Sequence, residues 1–307
     1  MVGKMNRRAF LEAAAASSVA ITSPGGRASG PPRLPDDKRD RKNLIVDSHV
    51  HLKHGNTART EYSPEVIVET MDRVGIDRSV VFAMSTTTKR SIEMAEGAAR
   101  KFPDRLIPYV YALPHYERPV VKEIEAVLAG GLFRGIKIHA GECTLAEYVV
   151  DPVLALAAKY GVPCLIDCAG NHPAALRMAY SFPRTKLIFA HMGRYLGTDK
   201  KLIDQFIAFA EKFDNVLLDL SGVVLVEKIP EAVHRIGSNR LVWGSDGPHR
   251  QPDTVAFARK ELDKIRSLNL REEDRNNVLG QTILRVLRVT TQRPTVPSHG
   301  AATGQHG

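Results

Sequence analysis

Asp47, His49 and His51 stand at alternate positions in the stretch NLIVDSHVHLKH, directly after the apolar run Leu44-Ile45-Val46. Side chains alternate across a strand, so this spacing predicts all three on one face. Two neutral imidazoles at i and i+2 can reach one metal ion, or they can form a hydrogen-bonded pair in a core. On this stretch alone the two readings stand level.

Three other runs have the same form, an apolar strand pattern with a polar residue at its far end. GIKIHAGE puts Lys137 and His139 on one face, LIFAHMGR ends on His191, and LVWGSDGPH ends on Asp246. A further run, GVPCLIDCAGNH, offers Asp167 and Cys168. Independent placements at strand ends are poorly explained by scattered core polar groups. A divalent metal centre becomes the expectation.

The elements that must position these residues alternate through the chain. Strands are predicted at Leu44–Val50, Ser79–Met84, Leu106–Ala112, Phe133–His139, Pro163–Asp167, Lys186–His191, Val216–Leu220 and Leu241–Ser245. Between them lie helical patterns such as SPEVIVETMDRVG, VVKEIEAVLAGG, DPVLALAAKYG and KLIDQFIAFAEKF. Pro64 after Ser63 and Pro152 after Asp151 suit an N-cap followed by a first-turn proline. Eight strand-helix units predict a closed (β/α)8 TIM barrel as a single domain, where reactive groups collect at the C-terminal strand ends. An open doubly wound sheet is the runner-up, and it lacks the Gly-rich loop expected after a first strand.

Taken together, VDSHVHL, GIKIH, AHMGR, LDLSG, WGSDGPH and the closing LREEDRNNVLGQTILRVL resemble the amidohydrolase superfamily, in its branch of barrel-fold metal-dependent hydrolases, lactonases and decarboxylases. The resemblance implies that His49 and His51 bind the metal, zinc first and manganese next. It implies that Asp246 binds the metal or its water and serves as general base. His191 either binds a second metal or hydrogen-bonds the reacting group. The fifth strand departs from the family, whose members commonly carry a histidine ligand near the position of Asp167; aspartate is a legitimate hard ligand there. Lys137 is open to three readings: a carbamylated bridging ligand, a cation for an anionic substrate, or a salt-bridged lysine inside the barrel. Lys137, His139, Arg194, His249 and Arg250 are the substrate-binding candidates, and cations gathered at the mouth suit a small carboxylate-bearing molecule.

The leading expectation is hydrolysis of an ester, lactone or amide by metal-activated water. A non-oxidative decarboxylase on the same ligands is the alternative, and an exported binding protein with a degenerate site is a third. The net charge of +9 does not argue for nucleic acid, because residues 1–43 hold nine Lys/Arg against four Asp/Glu and so account for most of it. That segment contains Arg7-Arg8-x-Phe10-Leu11 before an Ala-rich run, which resembles a twin-arginine export signal over about 1–29. Residues 1–42 are therefore expected to be leader and linker, 43–289 the barrel, and 290–307 a disordered tail. The expected location is periplasmic or secreted, with cytoplasmic as the alternative, the export machinery as a partner and no stable membrane insertion, since no run approaches the ~20 apolar residues of a span. Homo-oligomerisation is left open. Cys164 and Cys168, four residues apart on one strand, are separated by roughly 13 Å and cannot form a disulfide.

Overall fold

Strand parity decides which side chains reach the middle of a barrel, and eight short strands set it here. The computed structural model describes residues 43–251 and 253–289, so the predicted leader and tail lie outside the described residues. The strands are β1 (Val46–Lys53), β2 (Arg78–Ala83), β3 (Leu106–Tyr111), β4 (Gly135–His139), β5 (Cys164–Asp167), β6 (Leu187–Phe189), β7 (Val216–Asp219) and β8 (Leu241–Val242). Each pairs in parallel with the next, in chain order. The segment after β8 returns to β1, where Ser48 N–H donates to the Trp243 carbonyl (3.1 Å) and His51 N–H to the Gly247 carbonyl (2.7 Å). The result is the nearly closed (β/α)8 TIM barrel, in one domain, that the sequence predicts.

Helices α1 (Pro64–Val74), α2 (Thr88–Lys101), α3 (Val121–Ala129), α4 (Glu147–Tyr160), α5 (His172–Ser181), α6 (Lys200–Lys212) and α7 (Lys228–Ile236) follow the first seven strands. After β8 come α8 (Thr254–Arg266), α9 (Glu272–Asn276) and α10 (Thr282–Leu287). In α1 the Ser63 side chain accepts from Val66 N–H at 3.4 Å, Pro64 opens the helix, and Gly75 ends it at φ 87°. Ile67, Met71 and Val74 bury one stripe of α1 against the barrel. Contrary to expectation, α4 begins at Glu147, and Pro152 lies inside it. The Pro152 ring removes the N–H aimed at the carbonyl of Tyr148 and crowds that carbonyl, a cost confined to the start of the helix, where Tyr148 is exposed. Asp151 caps nothing; both of its carboxylate oxygens accept from Arg177 Nη1 (2.8 and 2.9 Å).

Two strands end more than one residue earlier than predicted. β6 stops at Phe189 rather than His191, and β8 at Val242 rather than Ser245. Beyond them, His191 (φ 59°), Met192 (φ 49°) and Asp246 (φ 60°) adopt left-handed backbone that no extended strand accommodates. Such residues cost about 1–3 kcal/mol each and cluster at functional sites. These turns carry His191 and Asp246 across the barrel mouth.

Strict alternation fails in β1 as well. Its register against β2 slips between Asp47 and Val50. Val46 packs in the barrel interior with Val80, Phe82 and Leu217, whereas Val50 packs in the outer layer with Ile67 and Met71. Regular alternation would keep residues 46 and 50 on one face. The bulge turns His49 and His51 inward and leaves Asp47 behind them, correcting the expected shared face of the three. Asp47 instead ties β1 to the loop after β8: its Oδ1 accepts from His49 N–H (3.1 Å) and Ser245 N–H (2.8 Å). Burial pushes its carboxyl up to about 7 against those hydrogen bonds.

Ile283, Leu284 and Leu287 of α10 pack with the interior cluster and close the N-terminal end of the barrel. Trp243 is buried in the outer layer, its Nε1–H donating to the Glu261 carbonyl (3.1 Å). The three cysteines are free and buried. Among the described residues, no helix is long and apolar enough to cross a membrane.

Candidate metal centre

Three elements deliver the innermost polar atoms. His49 and His51 come from β1, His191 from the turn after β6, and Asp246 from the turn after β8. Asp246 Oδ1 lies 2.9 Å from His51 Nε2 and 3.1 Å from His49 Nε2. The His191 ring stacks on His49 with centroids 5.2 Å apart, and ligand atoms of His49, His191 and Asp246 all fall within 4.8 Å of one another. Gly244 makes this approach feasible, because a Cβ there would stand 2.6 Å from His49 Cβ.

The far edges of two rings are fixed by β7 and its loop. His191 Nδ1 lies 2.8 Å from the Ser221 carbonyl, which can only accept, so Nδ1 carries a proton. Ser221 Oγ is 3.1 Å from His49 Nδ1 and donates to Asp219 Oδ1, which itself lies 3.5 Å from His49 Nδ1. Both imidazoles thus present Nε2 to the centre. Outer partners of this kind orient the histidine ligands of metal sites. Asp219 and Ser221 received no role from the sequence, although Asp219 ends an apolar strand just as Asp167 does.

Charge states agree with that orientation. Burial, with the nearby Lys137, holds His49 down to about 4, and burial likewise lowers His51. Both are neutral donors at pH 7. Burial opposes ionisation of Asp246, yet the surrounding His49, His51 and His191 hold its carboxyl well below the ordinary range. His191 is pushed up to about 9: burial alone would lower it, and Asp167, Asp246 and Asp219 outweigh that burial. The carboxylates that favour a proton on His191 would favour a metal cation in its place.

Asp167 Oδ2 sits 3.2 Å from His139 Nε2 and 3.5 Å from His191 Nε2, and its Oδ1 accepts from Ala169 N–H (2.8 Å). Cys168 faces away, its thiol 3.5 Å from the Gly193 carbonyl. Lys137 is buried with Nζ 3.2 Å from His49 Nε2 and 5.2 Å from the Phe82 ring centroid; burial lowers its pKa against the pull of Asp167, Asp246 and Asp219. The remaining candidates sit further out. His249 packs against His54 and Phe257 (centroids 4.8 and 4.3 Å), while Arg194 and Arg250 are exposed, Arg250 reaching Tyr62. Glu142, likewise without a role in the sequence, accepts from the Tyr111 hydroxyl and from Ser85 near the C-terminal ends of β3 and β4.

Imidazole Nε2 atoms and carboxylate oxygens converging in a buried pocket fit a divalent transition ion. His49, His51, His191 and Asp246 would hold it, with Asp167 adjacent.

A family model described as amidohydrolase matches residues 36–289. The chain belongs to the amidohydrolase family and is an enzyme of that type. Among solved structures, a probable 2-pyrone-4,6-dicarboxylic acid hydrolase from Acinetobacter baumannii with citric acid bound is 17% identical, covering 80% of this chain and 99% of its own, at a TM-score of 0.62. An amidohydrolase from Burkholderia multivorans with bound zinc is 15% identical over 80% of this chain and 100% of its own, at 0.63. A dihydroxybenzoic acid decarboxylase from Polaromonas sp. JS666, with bound manganese and the inhibitor 2-nitroresorcinol, is 16% identical over 80% and 97%, at 0.59. No curated protein matches the chain.

Proposed function

We propose that the protein is a metal-dependent hydrolase that cleaves the C–O or C–N bond of an ester, lactone or amide in a small anionic substrate. The observation that carries this reading is Asp246, a buried carboxylate held ionised within 3.1 Å of two neutral imidazoles. Zinc suits the donor set best, with manganese second. A bound divalent ion supplies Lewis acidity to the scissile carbonyl and acidity to an attacking water. Asp246 accepts that water's proton. His191 Nε2, where it holds a proton rather than the ion, donates a hydrogen bond to the oxygen that gains negative charge. Lys137 offers a buried positive charge to a substrate carboxylate, and Arg194, His249 and Arg250 lie further out.

Lys137 also favours a second reading, non-oxidative decarboxylation, since a cation beside His49 can pair with the carboxylate that is lost. Elemental analysis of the purified protein should find at least one equivalent of zinc or manganese, and chelation should abolish turnover of a lactone and carboxylate panel. Hydrolysis incorporates solvent oxygen into the product; carbon dioxide release without such incorporation would establish the lyase instead. Metal below a tenth of an equivalent after reconstitution would rule out both.

The Arg7-Arg8-x-Phe10-Leu11 order supports export of the folded protein by the twin-arginine route. Replacing both arginines with lysine should retain the protein in the cytoplasm; unchanged periplasmic yield would refute this.

A further inference from the structure

At the opposite end of the barrel, around the N-terminal ends of β5, β6 and β8, lies a cavity of about 350 Å³. Among the described residues its lining includes Arg184, Lys186, Arg240, Arg285 and Arg288, and no aspartate or glutamate. These cations come from separate parts of the chain: the segment before β6, the residues before β8, and the end of α10. Only tertiary structure brings them together.

Two of the five have structural partners. Lys186 Nζ donates to the Asp214 carbonyl (3.0 Å), and Arg240 donates to the carbonyls of Val216 and Ala210 (2.7 Å each). Among the described residues, the carboxylate that pairs with these cations is Asp214, which lies 3.4 Å from Arg240 and is otherwise fully in solvent. Arg285 has one long contact, to Thr282 Oγ1 (3.4 Å). The side chains of Arg184 and Arg288 make no hydrogen bond or ion pair among the described residues. Arg288 is nevertheless placed. Its own backbone is left-handed (φ 53°), and its guanidinium lies over Gly161, where a Cβ would come within 3.2 Å of Nη1. Gly161 itself is at φ 64° and closes α4, a left-handed position that favours glycine.

Like charges held around one concavity repel unless an anion enters, and guanidinium forks match the oxygens of phosphate groups in pairs. A concave site of this volume suits a small molecule rather than a flat macromolecular surface. We propose that this cavity is a binding site for a small, multiply charged phosphate-type anion, separate from the metal centre and contacted by Arg184, Arg285 and Arg288.

Pyrophosphate is the probe, titrated calorimetrically into the full-length metal-loaded protein. One site is expected, with affinity that falls as salt rises. Because a phosphate could also reach a metal, the titration is repeated on two variants. The Arg184→Gln/Arg288→Gln protein should bind at least about tenfold more weakly, while Asp246→Asn should retain the affinity. Both arginines are exposed, and circular dichroism and melting temperature check the fold; the single change Arg184→Gln serves if the double variant is unstable. Undiminished binding in the arginine variants, loss confined to Asp246→Asn, or no heat up to millimolar pyrophosphate would each overturn the proposal. Tighter binding of anionic vesicles or of an oligonucleotide through the same arginines would also overturn it, by assigning the surface to a macromolecule.

Discussion

Asp246 and His49 are joined twice: the Asp246 N–H donates to the His49 carbonyl (2.9 Å), and Asp246 Oδ1 lies 3.1 Å from His49 Nε2. The first bond stitches the loop after β8 to β1, and the second places a carboxylate on the inner edge of the ring. Asp246→Asn keeps the backbone bond and removes the charge. Its kcat/KM should fall by about 100-fold or more, with an unchanged circular dichroism spectrum. Activity within a few-fold of the parent would remove Asp246 from the chemistry.

Ser221 and Asp219 touch only the outer edges of the rings. Ser221→Ala should weaken metal binding by about 10-fold, and Asp219→Asn by more, toward about 100-fold, because these groups fix which nitrogen faces inward. Competition with a chromophoric chelator measures both. Equal affinities for parent and variants would mean that packing alone orients the imidazoles.

Asp167 and Cys168 provide a neighbouring pair with opposite expectations. Asp167 faces His139 and His191, and Cys168 faces the Gly193 carbonyl. Asp167→Ala should lower metal affinity on the order of 10-fold, Asp167→His should restore it, and Cys168→Ala should leave it unchanged. The reverse ranking would place the fifth strand in a different register.

Burial pushes the Cys143 and Cys168 thiols up to about 11 and about 12 from 9.0, and raises Cys164 as well. Folded thiols stay neutral where those of the unfolded chain ionise. Their contribution to stability is therefore intact below pH 9 and is lost as pH rises through about 11 to 12. At pH 10 the loss should be about 1 kcal/mol per thiol. Under reducing conditions, the fall in unfolding free energy from pH 8 to pH 10 should be smaller in the Cys143→Ala/Cys164→Ala/Cys168→Ala variant than in the parent. An identical fall would assign the alkaline sensitivity to other groups.

Much of this protein was legible in the order of its residues. Apolar runs alternating with helical patterns gave eight strand-helix units, and a polar residue at the end of each of several strands pointed to the barrel mouth, because backbone periodicity is local. The structure brings His49, His51, His191 and Asp246 together there, and puts Asp167 beside them. Periodicity could not show where it breaks. The bulge that turns His49 and His51 inward and strands Asp47 behind them arises from pairing with β2 and with the residues after β8, which are distant in sequence. The left-handed turns at His191 and Asp246 are likewise held by contacts to Ser221 and His49 rather than by local propensity. Ser221 lies in the LDLSG run, but nothing in that run assigns it a role, since a serine after a strand is ordinary until two imidazole Nδ1 atoms stand about 3 Å from its hydroxyl. The basic cavity follows the same rule: Arg184, Arg285 and Arg288 are scattered surface charges in the sequence, and only closure of the barrel sets them around one space.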